Sequence, residues 1–243
     1  AANLFLVVSL VRSALLVRST RRPVGHWTRR PAARGRAGRG RPLAKKKPPS
    51  RITVEQWFHT SLGGLWLGSG VLFVVLMAVS GRWVRLVPTS WDVLPNAASV
   101  ALQYLSWHWP HDDTWVAYNA LQMLAYGGVV LLLAPLAALT GLRQSALWPN
   151  DAAVNRWFSL ERSRAVHRVV QTLFFVFVAV HLNLVLGTGA LRNLNHMFGA
   201  RDDTSVLGPH LMVVVLGLAV AAWFAARPVL LRALAGLFGK VTR

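Results

Sequence analysis

The chain contains no cysteine. That absence excludes a disulfide, a thiolate metal site, an iron–sulfur cluster held by this chain and a covalently attached c-type haem. Any metal held here falls to histidine. Acids are nearly as scarce, eight Asp and Glu in 243 residues with none in the first 51 positions. Charged residues of both signs make up only 14% of the chain, against 54% hydrophobic residues and 11 Trp, and the mean hydropathy is +0.41. Such a composition departs from that of soluble domains and places the chain in a membrane.

The formal charge of +19 is spread unevenly. Fourteen of the 27 Lys and Arg lie in the first 51 residues, and the remaining 192 residues carry 13 basic against 8 acidic groups. A basic arm on an ordinary membrane domain explains the pI near 12. It calls for no specific nucleic-acid partner, since neither aromatic interleaving nor a recognisable fold supports one.

Crossing a bilayer takes about 20 mostly apolar residues. Four stretches qualify, read from the charges that bound them: Trp57 to Ser80 between Glu55 and Arg82, and the runs enclosed between Asp113 and Arg143, between Arg168 and Arg192, and between Asp203 and Arg227. Backbone in lipid must satisfy its own hydrogen bonds, and none of these stretches alternates as a barrel strand does. The expected fold is an all-α integral membrane protein built as a four-helix transmembrane bundle over residues 52–226. Residues 1–17 are apolar but short and interrupted by Arg12, which leaves a fifth span, an interfacial helix or a fragment of something longer open. The chain does not begin with Met, which fits truncation or processing. Residues 18–51, rich in Pro, Gly and Arg, are expected to be disordered or pinned to anionic lipid. Residues 227–243 read as a basic amphipathic tail.

Lys and Arg divide strongly between alternate sides. With the basic arm cytoplasmic, 22 fall on that side, and only Arg82, Arg85, Arg192 and Arg201 on the other. By the positive-inside rule the first and third stretches then run outward and the second and fourth inward.

Eight histidines remain to be placed. His167 and His181 are 14 residues apart, about 21 Å of helical rise, and point within about 40° of one another. Two ionisable rings on one face of a membrane helix, in a chain without cysteine, point to haem iron, with a role as interhelical hydrogen-bonding glue as the bland reading. A bis-histidine haem needs a partner at matching depth on another helix. His59 opens the first stretch from the same side as His167, forming an inner pair. His181 and His210 lie near the outer side and form an outer pair, with His196 as the alternative ligand. Gly63, Gly64, Gly68 and Gly70 after His59 admit a porphyrin or a neighbouring helix. His26 reads as solvated. The cluster His108, His111, Asp112 and Asp113 reads as a metal site or, more economically, as acids capping a helix start.

The segments HDDTWVAYNALQMLAYGGVVLLLAPLAALTGL and SRAVHRVVQTLFFVFVAVHLNLV resemble the prokaryotic membrane cytochrome b family. That family includes the b-type subunits of nickel-iron hydrogenase, formate dehydrogenase, thiosulfate reductase and related molybdoenzymes. The resemblance covers roughly residues 52 to 200. It implies two b haems, one at minimum, that pass electrons between a peripheral redox subunit of hydrogenase or molybdoenzyme type and membrane quinone, in the bacterial inner membrane. It also implies His167 and His181 as ligands on the shared helix and His59, in WFH, as the ligand on the paired helix. The familiar pattern carries a further ligand on a preceding helix. Residues 1–17 hold no histidine, which leaves His210 as the candidate for the second haem, and familiar helix order would start the WFH helix outside. Arg162, Arg164 and Arg168 are placed to meet haem propionates and equally to anchor the positive side. His108, His111, Asp112 and Asp113 are candidate proton partners for quinone.

The expected role is an electron-transfer subunit of an oxidoreductase complex, since bis-histidine iron is coordinatively full and binds no substrate. The rival is a haem-free anchor or small transporter. Against it, none of the eight acids falls within the four stretches.

Overall fold

The structure, a computed structural model, describes residues 2–19, 23–29, 51–109, 115–145, 147–149 and 153–242. In chain order it runs α1 (Ala2–Ser19), β1 (His26–Arg29), β2 (Arg51–Thr53), α2 (Val54–Val79), a 3-10 turn (Arg82–Arg85) and α3 (Val93–Leu105). There follow α4 (Ala120–Gly128) and α5 (Ala134–Gln144), continuous through a π turn at Val129–Leu133, and a 3-10 turn at Ala153–Arg156. The chain ends with α6 (Leu160–Gly187), α7 (Ala190–Leu194), a π turn (Asn195–Gly199), α8 (Leu207–Ala225), α9 (Pro228–Phe238) and β3 (Gly239–Thr242).

Five helices are long and apolar enough to cross a membrane: α1, α2, the α4–α5 unit, α6 and α8. The protein is an all-α, multi-pass membrane bundle. Four spans coincide with the four apolar stretches, and α1 joins them as a fifth despite Arg12. Its 18 residues rise about 27 Å, close to a bilayer core. Apolar side chains face outward along the helices, Val71, Leu72 and Leu76 on α2 among them, with Val79 78% exposed. Water would not tolerate so large an apolar surface, whereas lipid is the solvent such a surface requires.

Local sequence signals set where three spans begin. Thr53 accepts from the Gln56 amide and the Gln56 side chain accepts from the Thr53 amide, both at 3.1 Å, a reciprocal cap on α2. Asn119 and Gln122 repeat that box at α4, and the Ser159 hydroxyl accepts from the Arg162 amide at α6. Within the α4–α5 span the π turn falls just before Pro135, which has no N–H to offer the Leu131 carbonyl, so the helix widens there.

Polar contacts define the registers between helices. On the antiparallel pair α1 and α2, Asn3 meets Ser69 and Ser13 meets His59, ten residues apart on both helices. On α4–α5 and α6, Tyr126 meets His181 and Thr140 meets His167, 14 apart on both. Helices α2 and α6 touch through Trp66 and Phe174, edge to face at 5.9 Å.

The expected disordered arm is corrected at His26–Arg29, which forms the central strand of an antiparallel sheet ordered β2-β1-β3. Trp27 pairs with Ile52 on one side and Val241 on the other. Its indole donates to the Ala235 carbonyl at 3.1 Å and packs on Trp57. The sheet covers a small core of Val54, Ala226, Leu231 and Ala235, with Leu16, Phe58 and Val241 against it. Gly239 is required there, because a Cβ would run into the Trp27 indole. A tryptophan and flanking β-branched residues thus recruit part of a basic arm into packing that its overall composition does not foretell. The sheet, the start of α2, the end of α8 and α9 lie at one end of the bundle, called the inner end below. The tail expected at 227–243 is the amphipathic α9 followed by β3.

Candidate functional site

His59 lies on the sixth residue of α2 and His167 on the eighth of α6. The helices meet at Trp66 and Phe174, each seven residues beyond its histidine, and seven residues return a helix to within about 20° of the same direction. The two imidazoles therefore share one face and one depth, roughly 10 Å inward of the aromatic contact, and they lie within electrostatic range of one another. This matched offset requires α2 and α6 to run in the same direction, as the charge count requires.

Each ring is held at Nδ1 by a buried hydroxyl on a neighbouring helix. Ser13 of α1 stands 2.8 Å from His59 Nδ1, and Thr140 of α5 stands 2.8 Å from His167 Nδ1. The Ser13 hydroxyl is also 2.8 Å from the Leu10 carbonyl, and that of Thr140 is 2.5 Å from the Leu136 carbonyl. Ser163, one turn before His167, donates to the Thr140 carbonyl at 2.9 Å and Gln144 donates to it as well, so α5 and α6 are clamped at this level. The His167 ring lies against α5 at Gly141, where a Cβ would stand 3.6 Å from Cε1, an ordinary contact distance. The His167 ring has a further hydrogen-bond partner in the backbone of Ala137. At Gly63, Gly64, Gly68 and Gly70 a Cβ would meet no described atom within 4 Å. Close helix packing is thus not their role here, and Gly63 leaves room one turn beyond His59. Two imidazoles at one depth, each bonded at Nδ1 to a buried hydroxyl, are of the residue type that could hold a haem iron.

The outer end is built differently. His181 stacks on Phe177 with 8° between planes and meets the edge of Tyr126, whose hydroxyl is 3.4 Å from Nδ1. On α2 the position seven beyond Trp66 is Phe73, so that helix offers His181 no second imidazole. His210 is exposed on the first turn of α8, which packs against α1 and the α7 region. Depth alone pairs it with His181. His196 has its Nε2 2.7 Å from Asp202 and its ring 5.1 Å from that of Trp115.

The segment around His196 is a polar lock. Arg192 grips Asp202 through two bonds of 2.6 and 2.9 Å, and with His196 holds that carboxyl well below the usual range. The fully buried Asn195 donates to Asp203 and Ser205 and accepts from the Gly208 amide at 2.6 Å. A hydroxyl and an amide of Ser205 keep the Asp203 carboxyl low as well.

Arg164 and Arg168 are exposed at the start of α6, flanking His167. Of the quinone candidates, His108 is exposed with Nδ1 2.8 Å from the Ser106 carbonyl, while His111, Asp112 and Asp113 lie outside the described residues. Among the described residues no group of three or more His, Asp or Glu converges as a metal cage. His26, read as solvated, is half-buried with a buried Nδ1 that has no hydrogen-bond partner. Glu55 also departs from expectation. It belongs to the first turn of α2, is 2% exposed, and accepts from the Val24 amide at 2.9 Å, tying the arm to that helix. The side chains missed by sequence reasoning are Ser13 and Thr140, for which only the hydroxyls themselves gave a signal. Arg12, adjacent to Ser13, lies over the Trp223 ring at 5.1 Å. No family model, no curated protein and no solved structure matches the chain.

Proposed function

We propose that the protein is a b-type cytochrome subunit that carries electrons between a peripheral redox subunit and membrane quinone, in the bacterial inner membrane. The observation that carries this reading is the inner histidine pair: two rings at one depth on parallel helices, each oriented through Nδ1. Haem bound there supplies one-electron chemistry within the low-dielectric bundle. His59 and His167 would hold its iron, their helices would exclude water, and Arg164 and Arg168, exposed beside His167, would offer cations to its propionates. His181 is assigned to a second haem, with His210 as its partner by depth. A hydrogenase or molybdoenzyme type of partner follows from the resemblance of residues 52–200 and rests on it alone.

The rival, a haem-free transporter, has one buried carboxylate among the described residues to draw on, Glu55. It sits in the first turn of α2 and bonds the arm, so it makes no path across the bundle. A visible spectrum of protein purified in mild detergent separates the two. Reduced-minus-oxidised bands of low-spin b haem are expected, and a colourless chain after expression with ample haem would reject the cytochrome.

A further inference from the structure

We infer that Ser13 and Thr140 are positioning residues that lock His59 and His167 in the tautomer with the proton on Nδ1, leaving Nε2 as the metal-binding nitrogen. The inference rests on the haem reading and adds to it the residues that set ligand orientation and strength.

Each hydroxyl has one proton and several neighbours that claim it, two for Ser13 and three for Thr140, whose Oγ1 also lies 3.2 Å from the Ala137 carbonyl. Ser13 Oγ lies 2.8 Å from both the Leu10 carbonyl and His59 Nδ1, and Thr140 Oγ1 lies 2.5 Å from the Leu136 carbonyl and 2.8 Å from His167 Nδ1. A carbonyl can only accept. Were the hydroxyl proton turned to the ring, two oxygens would face each other at these separations with no proton between them. Both bonds form only when the hydroxyl donates to the carbonyl and the ring N–H donates to the hydroxyl. The proton is thereby assigned to Nδ1 on each ring, and the Nε2 lone pair is free for iron.

The two hydroxyls sit where they cannot be replaced by water. Ser13 is 0% and Thr140 1% exposed. Thr140 is further fixed through its carbonyl by Ser163 and Gln144. A neutral hydroxyl acceptor also leaves the ring an ordinary imidazole, where a carboxylate would draw the proton away and make it a stronger donor to ferric iron. His181 lacks such a lock, since the Tyr126 phenol stands at 3.4 Å and among the described residues no carbonyl contact competes for its proton.

The test compares Ser13→Ala and Thr140→Val, which remove the acceptor with little change of shape, with Thr140→Ser, which keeps it. Nitrogen-15 NMR of histidine-labelled protein, prepared without haem, reads the tautomer directly. Wild type and Thr140→Ser should show Nδ1 protonated on His167, and Thr140→Val a mixture. Haem titration into the same preparations should show roughly tenfold weaker binding or more for Ser13→Ala and Thr140→Val, the usual cost of removing a ligand's hydrogen-bond partner, with Thr140→Ser near wild type. Their haem midpoint should also rise relative to wild type, because an imidazole without an acceptor at Nδ1 donates less to ferric iron. An unchanged tautomer in both removal variants, or equal losses in Thr140→Val and Thr140→Ser, would overturn the inference. Wild type that never takes up haem would instead overturn the cytochrome reading, and the tautomer result would still decide the locking role.

Discussion

The two ends of the bundle hold their histidines in opposite ways. At the inner end, His59 and His167 are gripped at 2.8 Å by hydroxyls from two further helices, so four helices converge on one pair of rings. At the outer end, His181 rests among Phe177 and Tyr126, His196 is bonded to Asp202, and His210 faces outward. The inner end also carries a sheet cap and most of the basic charge, whereas the outer loops carry Trp83, Trp91, Trp107, Trp109 and Trp115, suited to a membrane interface. The difference teaches that intramembrane histidines are not equivalent. What distinguishes the inner pair is a polar group fixing one nitrogen and a matching ring at the same depth.

Replacing a ligand tests that contrast most severely. His59→Ala and His167→Ala should each abolish the same low-spin haem signal, because iron with one axial imidazole becomes high-spin or is lost. Two variants that remove different signals would break the pairing, and difference spectra of membranes suffice to see it.

His210→Ala decides whether the outer end is a second site. Loss of a second b-type signal with the first intact is the expected result. Two intact signals would hand the role to His196 or to a ligand from another subunit, and a wild type with a single haem would return His181 to hydrogen bonding between helices.

The inner cap should weaken measurably when its tryptophan is removed. Trp27 is half-buried, bonded to Ala235 and packed on Trp57, so Trp27→Ala should destabilise the sheet by about 2–3 kcal/mol, below the figure for a fully buried tryptophan. Hydrogen exchange of the β1 and β3 amides would report it. Exchange unchanged from wild type would show that strand pairing alone holds the arm.

The smallest effect belongs to the outer loop. Asp202 and Asp203 are held below their ordinary range when folded, so their contribution is complete above the unfolded carboxyl value near pH 4. It is lost as pH falls through the folded values. Both groups are exposed, and only local loosening of residues 195–206 is expected, visible as faster amide exchange at pH 3 than at pH 5 once the intrinsic rate is corrected. Equal exchange at the two pH values would show that the carboxylates do not hold the loop.

Much of this was legible beforehand. Four spans followed from charge-free runs, and the parallel course of the α2 and α6 stretches followed from counting Lys and Arg. The equal depth of His59 and His167 followed from that course. The strand at His26–Arg29 was not legible, because its partners, Ile52 and Val241, lie far along the chain and the surrounding composition is that of a solvated arm. The span at α1 was legible only as one of three alternatives, because residues 1–17 are short and interrupted by Arg12. In the structure its guanidinium lies over Trp223, so a residue 211 positions away supplies the contact that accommodates it.

The sequence by itself determined the solvent, the number of long helices within one, the parallel course of the α2 and α6 stretches and the common level of His59 and His167. These depend on hydropathy, charge and a constant rise per residue, all local quantities. Only the tertiary structure decided that Ser13 and Thr140 meet the two inner rings, that Phe73 and not a histidine stands on α2 at the level of His181, and that part of the arm closes a sheet. Each of these depends on which residues of distant segments share a rung, and register between helices is set by packing that no single segment contains.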